Sequence, residues 1–107
     1  MEISQYQVVV VNLDPTIGNE IKRTRPCVVI SPNEMNSTLG TIVIAPLTSN
    51  KRNYPTRSKI IVQGKESRIA LDQIRTIDKR RVIKLGEFIS TKEQVAIKAI
   101  LKETYVD

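Results

Sequence analysis

No histidine and no tryptophan occur in this chain, and cysteine occurs once, as Cys27. The lack of histidine excludes imidazole acid–base catalysis, a Ser-His-Asp triad and histidine metal clusters. One cysteine cannot build a zinc site, and with no histidine beside it Cys27 is a poor nucleophile. It sits in the apolar run Cys27-Val28-Val29-Ile30 and reads as a buried core thiol in a reducing cytoplasm. The carboxylates Asp14, Glu20, Asp72 and Asp78 stand apart among basic residues, a setting that suits phosphate rather than a metal ion. No metal and no cofactor are therefore expected. No apolar run approaches the roughly 20 residues that span a bilayer. Met1-Glu2-Ile3-Ser4-Gln5 also lacks the basic-then-apolar order of a signal peptide, so neither export nor membrane insertion is expected. Aromatics are limited to Tyr6, Tyr54, Phe88 and Tyr105, which leaves the core to Val, Ile and Leu and points to a β-rich fold.

What is present is positive charge. The chain has 107 residues, 40% hydrophobic and 26% charged, the profile of one globular domain over residues 1–107. Its net charge of +6 and isoelectric point near 9.7 favour a polyanionic partner: nucleic acid, an anionic membrane surface or an acidic protein.

Read in order, Val8-Val9-Val10-Val11 marks a strand over residues 7–13 with no polar face. A second strand is expected over 27–31 and a third over 41–47. The turn signals at 31–33 and 36–40 leave room between them for at most one helical turn. Pro46 places the end of the third strand near an edge or bulge. A short strand follows at 59–62, with a turn at 64–67. Residues 68–77 alternate as one strand with a bulge at Asp72-Gln73. Asp78-Lys79-Arg80-Arg81 forms a basic turn, and 84–88 a last short strand. Ser90-Thr91-Lys92-Glu93 is a capping box that starts a C-terminal helix. Ala96, Ile97, Ile100 and Leu101 form its apolar stripe. Five or six short strands closed by one helix make a mainly β fold, a small half-open barrel.

Two loops carry the candidate chemistry. The first, from Asp14 to Pro26, has turn signals at Pro15 and Gly18 and holds Glu20, Lys22, Arg23 and Arg25. Pro26 disfavours helix at Arg25, which is expected at a strand entrance. The second, residues 48–58, interleaves Lys51, Arg52 and Arg57 with Tyr54, giving charges for phosphate and a ring for base stacking. RNA cleavage needs neither a metal nor an external nucleophile, because the ribose 2′-OH can attack the adjacent phosphate. Arg25 can grip two phosphate oxygens in a bidentate way, Thr48 can donate a hydrogen bond to the same group, and Glu20 can act as general base. Each has a plain structural alternative: both loops as solvated loops, Arg25 pairing with Asp78, Thr48 capping a turn. Arg75 and Asp72 are expected to brace the sheet or a dimer interface.

Asp14-Pro15-Thr16, Gly18-Asn19-Glu20 and Arg25-Pro26 before an apolar strand, then Pro46-Leu47-Thr48 and Asp72-Gln73-Ile74-Arg75-Thr76-Ile77-Asp78, resemble in order the MazF/PemK-type toxins. The resemblance spans most of the chain. It implies an SH3-like half-open barrel, a homodimer, and a metal-independent endoribonuclease that cuts single-stranded RNA and is neutralised by an acidic antitoxin. It also implies catalytic roles for Arg25, Thr48 and, as in some members, Glu20. The loop departs from the common pattern at Ile21-Lys22-Arg23, where many members carry Gln and small residues, so the resemblance leaves the base specificity open. Two other readings fit this barrel: a gyrase-poisoning toxin and a non-catalytic RNA-binding module.

Overall fold

A β-strand turns successive side chains to opposite faces, so four valines in a row must serve two apolar surfaces. In the computed structural model, which describes residues 2–13, 23–50, 52 and 54–106, they lie in strand β1 (Gln7–Asn12). Val8 packs with Val28, Ile60 and Ile97 on one face. Val9 and Val11 pack with Cys27, Val29 and Ile44 on the other.

Strand β2 (Thr24–Val29) runs antiparallel to β1 and starts three residues before the expected 27–31. Pairing with β1, through Val11 opposite Arg25 and Val10 opposite Pro26, carries the strand back past its apolar part. Arg25 therefore lies inside a strand and not at its entrance. Helix α1 (Asn33–Thr38) has six residues, more than the single turn expected. It runs through the second turn signal because Asn36 is buried there, its Nδ2 donating to the Ser31 carbonyl at 2.9 Å.

Strand β3 (Thr41–Thr48) is central. One side pairs with β2. The other pairs first with β6 (Arg75–Asp78), over Thr41 to Ile44, and then with β5 (Lys65–Ala70), at Leu47 and Thr48. Pro46, expected at an edge or bulge, instead sits in this central strand opposite Cys27. It falls in the gap where the second partner changes from β6 to β5, the place in a ladder that best tolerates a missing N–H.

Strands β4 (Arg57–Val62) and β5 form a hairpin closed by Gln63 and Gly64, whose φ of 50° and 76° suit a two-residue primed turn. The expected turn at 64–67 is thus shorter, with Lys65 to Ser67 inside β5. The expected single strand over 68–77 is broken by a 3-10 turn, Leu71–Gln73, because Leu71 is fully buried. A second 3-10 turn, Lys79–Arg81, leads into β7 (Val82–Phe88). Among the described residues seven strands result, in the path β4-β5-β3-β2-β1-β7 with β6 on β3: a mainly β, half-open barrel.

The C-terminal helix α2 (Thr91–Tyr105) begins at the expected capping box, Ser90 Oγ accepting from the Glu93 N–H and Glu93 Oε1 from the Ser90 N–H. Ile97 is buried and Ile100 and Leu101 pack partly, whereas Ala96, expected in the stripe, is exposed. The second oxygen of Glu93 accepts the Ile61 N–H at 2.7 Å, and Glu87 of β7 accepts the Gln63 N–H at 2.9 Å. Carboxylates thus occupy donors of the β4 edge that would otherwise invite a foreign strand.

Gly86 in β7 lies beside a register shift against β1. A Cβ there would stand 2.9 Å from the Val8 carbonyl oxygen, a backbone atom that cannot swing away. Gly86→Ala should therefore lower stability by about 2 kcal/mol, as overpacking does, read as a lower urea midpoint. An unchanged midpoint would show that β7 can shift without cost.

Candidate active site

The β1–β2 hairpin closes at Leu13, whose N–H donates to the Arg23 carbonyl at 2.8 Å. The β2–β3 ladder ends at Cys27 opposite Pro46, and beyond it the Arg25 side chain reaches the carbonyl of Leu47, the residue before Thr48. Arg25 and Thr48, 23 apart in the chain, are therefore brought to the same end of the sheet.

Arg25 is held by one nitrogen. Its Nε donates to the Leu47 carbonyl at 3.1 Å, and no other hydrogen bond of its guanidinium is found among the described residues. Among the described residues the terminal Nη groups have no partner and form a forked donor pair, the geometry suited to a phosphate. Arg25 lines an open cavity of about 490 Å³ together with Leu13, Arg23, Thr24 and Arg75. Among these lining residues there is no carboxylate. Arg25 and Arg75 on this concave surface favour an anion, and Arg23 lines it as well.

Thr48 ends β3, half-buried, and its Oγ1 accepts the Asn50 N–H at 3.1 Å. It does cap a turn, as the plain alternative had it. An accepting hydroxyl oxygen still has its hydrogen to donate, so capping and phosphate contact are compatible. The other alternative, Arg25 pairing with Asp78, is not what the structure has. Asp78 pairs with Arg80 at 2.9 Å and accepts the Arg80 N–H, and these hydrogen bonds pull its carboxyl down to about 2.

Cys27 is fully buried behind Arg25, its thiol directed to the Arg25 carbonyl at 3.6 Å. Burial pushes the thiol up to about 11, outweighing the nearby positive charges of Arg25 and Arg75. It is an inert core thiol.

Glu20, Lys22 and Lys51 lie outside the described residues. Arg52, Tyr54 and Arg57 form a second group. Arg52 Nη1 donates to the Tyr54 hydroxyl at 3.3 Å, and the Arg57 guanidinium lies 5.1 Å from the Tyr54 ring centre. Arg57, expected to face phosphate, is instead largely buried and joined to Asp72 by two hydrogen bonds, Nε to Oδ1 at 2.8 Å and Nη2 to Oδ2 at 3.4 Å. The Arg57 hydrogen bonds hold the Asp72 carboxyl below its ordinary range. The bracing role expected of Asp72 is therefore filled through Arg57.

Arg75 is the residue that sequence reasoning missed. Taken as a sheet brace, it is exposed, borders the cavity with Arg25, and has no hydrogen-bond or ion-pair partner among the described residues. Strand alternation could have placed it on an outward face, but not beside Arg25.

A family model described as "PemK-like, MazF-like toxin of type II toxin-antitoxin system" matches residues 4–105. An endoribonuclease MazF of Staphylococcus epidermidis is 32% identical over 101 residues, covering 89% of this chain and 84% of that protein. A mycobacterial endoribonuclease, solved in complex with its cognate antitoxin, superposes with a TM-score of 0.80 at 19% identity, over 94% of this chain and 92% of that one. A MazE–MazF structure from Deinococcus radiodurans gives 0.79 at 24% identity, over 96% and 95%. These two structures share the fold; the family model and the staphylococcal protein establish kinship.

Proposed function

Since this chain belongs to the family of PemK-like, MazF-like toxins of type II toxin–antitoxin systems, we propose that it cuts single-stranded RNA by attack of the substrate's own 2′-OH on the adjacent phosphate. It is an endoribonuclease toxin; the chemistry of the cut is our reading. The observation that carries it is Arg25, tethered by Nε to Leu47 with its fork at a cavity that Arg23 and Arg75 also line.

In the proposed reaction the 2′-oxygen gives its proton to a general base, a role assigned to Glu20, and bonds to phosphorus. Arg25 takes up the charge growing on the non-bridging oxygens, and Thr48 donates to the same phosphate. The bond to the 5′-oxygen breaks and that oxygen takes a proton. The products are a 2′,3′-cyclic phosphate and a 5′-OH, with every atom supplied by substrate and proton donors. Arg75, Arg23, Lys22, Lys51 and Arg52 supply phosphate contacts along the strand.

The protein would act as a homodimer carrying about +12, twice the +6 of one chain. Its antitoxin would present an acidic segment that lies over this cavity, in an association that weakens as salt rises. The test is to incubate purified protein with a defined messenger RNA and sequence both new ends. Cyclic-phosphate and 5′-hydroxyl ends, lost when antitoxin is added, are expected. 3′-OH ends paired with 5′-phosphates would overturn the mechanism. RNA left intact, with damage appearing only when DNA gyrase is supplied, would overturn the activity as well.

A further inference from the structure

Tyr54 is 42% exposed on the surface, yet it is not loosely held. Its carbonyl accepts the Arg57 N–H at 3.0 Å and its hydroxyl accepts from Arg52. The Arg57 guanidinium lies against the ring and is fixed in turn by Asp72, which also accepts from Thr56 Oγ1 at 3.1 Å. Asp72 belongs to a well-anchored turn. The Leu71 N–H donates to the Thr56 carbonyl at 3.0 Å, and the Leu71 carbonyl accepts from the Tyr105 hydroxyl of α2 at 2.6 Å.

This arrangement is costly for a surface tyrosine with no task. The ion pair that braces β4 against the 71–73 turn also backs the ring, and the guanidinium, neutralised by Asp72, is no longer free for phosphate. An aromatic ring backed by guanidinium and open to solvent is the element on which an unpaired base stacks. The loop that carries it begins at Thr48, in the candidate active site.

We propose that Tyr54 is a base-stacking platform for a nucleotide flanking the scissile phosphate, and that Arg57 and Asp72 are positioning residues that hold its ring. The proposal rests on the RNA-cleavage reading above and deepens it.

The test measures binding of a fluorescein-labelled, mixed-sequence 2′-O-methyl RNA pool, uncleavable because the 2′-oxygen is blocked, with cleavage of the unmodified pool followed in parallel. Tyr54→Ala should weaken binding on the order of tenfold, and Tyr54→Phe should recover most of that loss. Asp72→Asn should weaken binding several-fold in the parent and add nothing to Tyr54→Ala, because both act through the ring. Thermal melting of each variant monitors folding, and the exposed Tyr54 pair keeps the test valid even if Asp72→Asn melts early.

Affinity unchanged by Tyr54→Ala would overturn the platform, as would losses from Asp72 and Tyr54 that multiply. Tighter binding by Asp72→Asn with a steeper salt dependence would make Arg57 a masked phosphate ligand and also overturn it. Tyr54-dependent binding by a protein that leaves unmodified RNA intact would remove the cleavage reading and keep the platform. Cleavage by the parent that Tyr54→Ala leaves untouched would do the reverse.

Discussion

Arg25→Ala should lower RNA cleavage on the order of 100-fold or more, as loss of a charge-stabilising donor does, and leave the protein folded. The fold is expected to survive because among the described residues the Arg25 side chain makes one hydrogen bond, Nε to the Leu47 carbonyl, and it borders a cavity instead of the core. Such a bond is worth about 1 kcal/mol, a few degrees in the melting temperature of a protein this size. Catalysis depends on the other end of the side chain. As the phosphorane forms, negative charge collects on its equatorial oxygens, and a fork already aimed there needs no reorganisation. Arg25→Lys should recover little, because an ammonium keeps the charge but neither the fork nor the Nε tether. Arg75→Ala provides the contrast. It should weaken binding and reduce the salt dependence by about one unit of slope, with kcat largely kept. Single-turnover rates and salt titrations of the three variants check this. Equal, mild losses at both arginines would reduce the site to a plain basic surface.

A single deoxyribose on the 5′ side of the scissile bond should abolish cutting at that bond while barely changing affinity, and excess EDTA should change nothing. The argument starts from the inventory of nucleophiles. The chain has no histidine, and its one thiol is buried with a pKa near 11, so it offers no thiolate at neutral pH. In the proposed mechanism the attacking oxygen belongs to the substrate, and the 2′-OH is the one oxygen adjacent to the phosphate that RNA has and DNA lacks. Binding survives its removal because phosphate contacts supply most of the affinity. A chelator has nothing to take, since no step asks an ion to activate water. One labelled oligonucleotide, with and without the substitution and each with and without EDTA, is resolved on a gel. Cutting of the deoxy strand at the same bond, or activity lost to the chelator, would replace this mechanism with one using water or metal.

Features legible in the chain are those whose physics is local. The capping box at Ser90 and Glu93 needs only residues three apart, and it forms as expected. The valine run and the apolar strand after Arg25-Pro26 report their own burial, and together with the terminal helix they specify a mainly β barrel. Arg25 and Thr48 were legible as candidates because in the sequence each falls where an apolar run meets a polar stretch.

What could not be read depends on partners far away in the chain. The break at 71–73 looked like a bulge because alternation continues on both sides of it; burial of Leu71 and the exchange of β5 for β6 along β3 decided otherwise. Arg57 looked like one more surface cation until Asp72, fifteen residues on, took its charge. Arg75 looked like a brace until the β3–β6 pairing set it at the cavity of Arg25. Periodicity gives the face a side chain points to, but a guanidinium reaches several ångströms beyond its strand. Whether it meets a carboxylate, a ring or an open cavity is set by elements that only folding brings within reach.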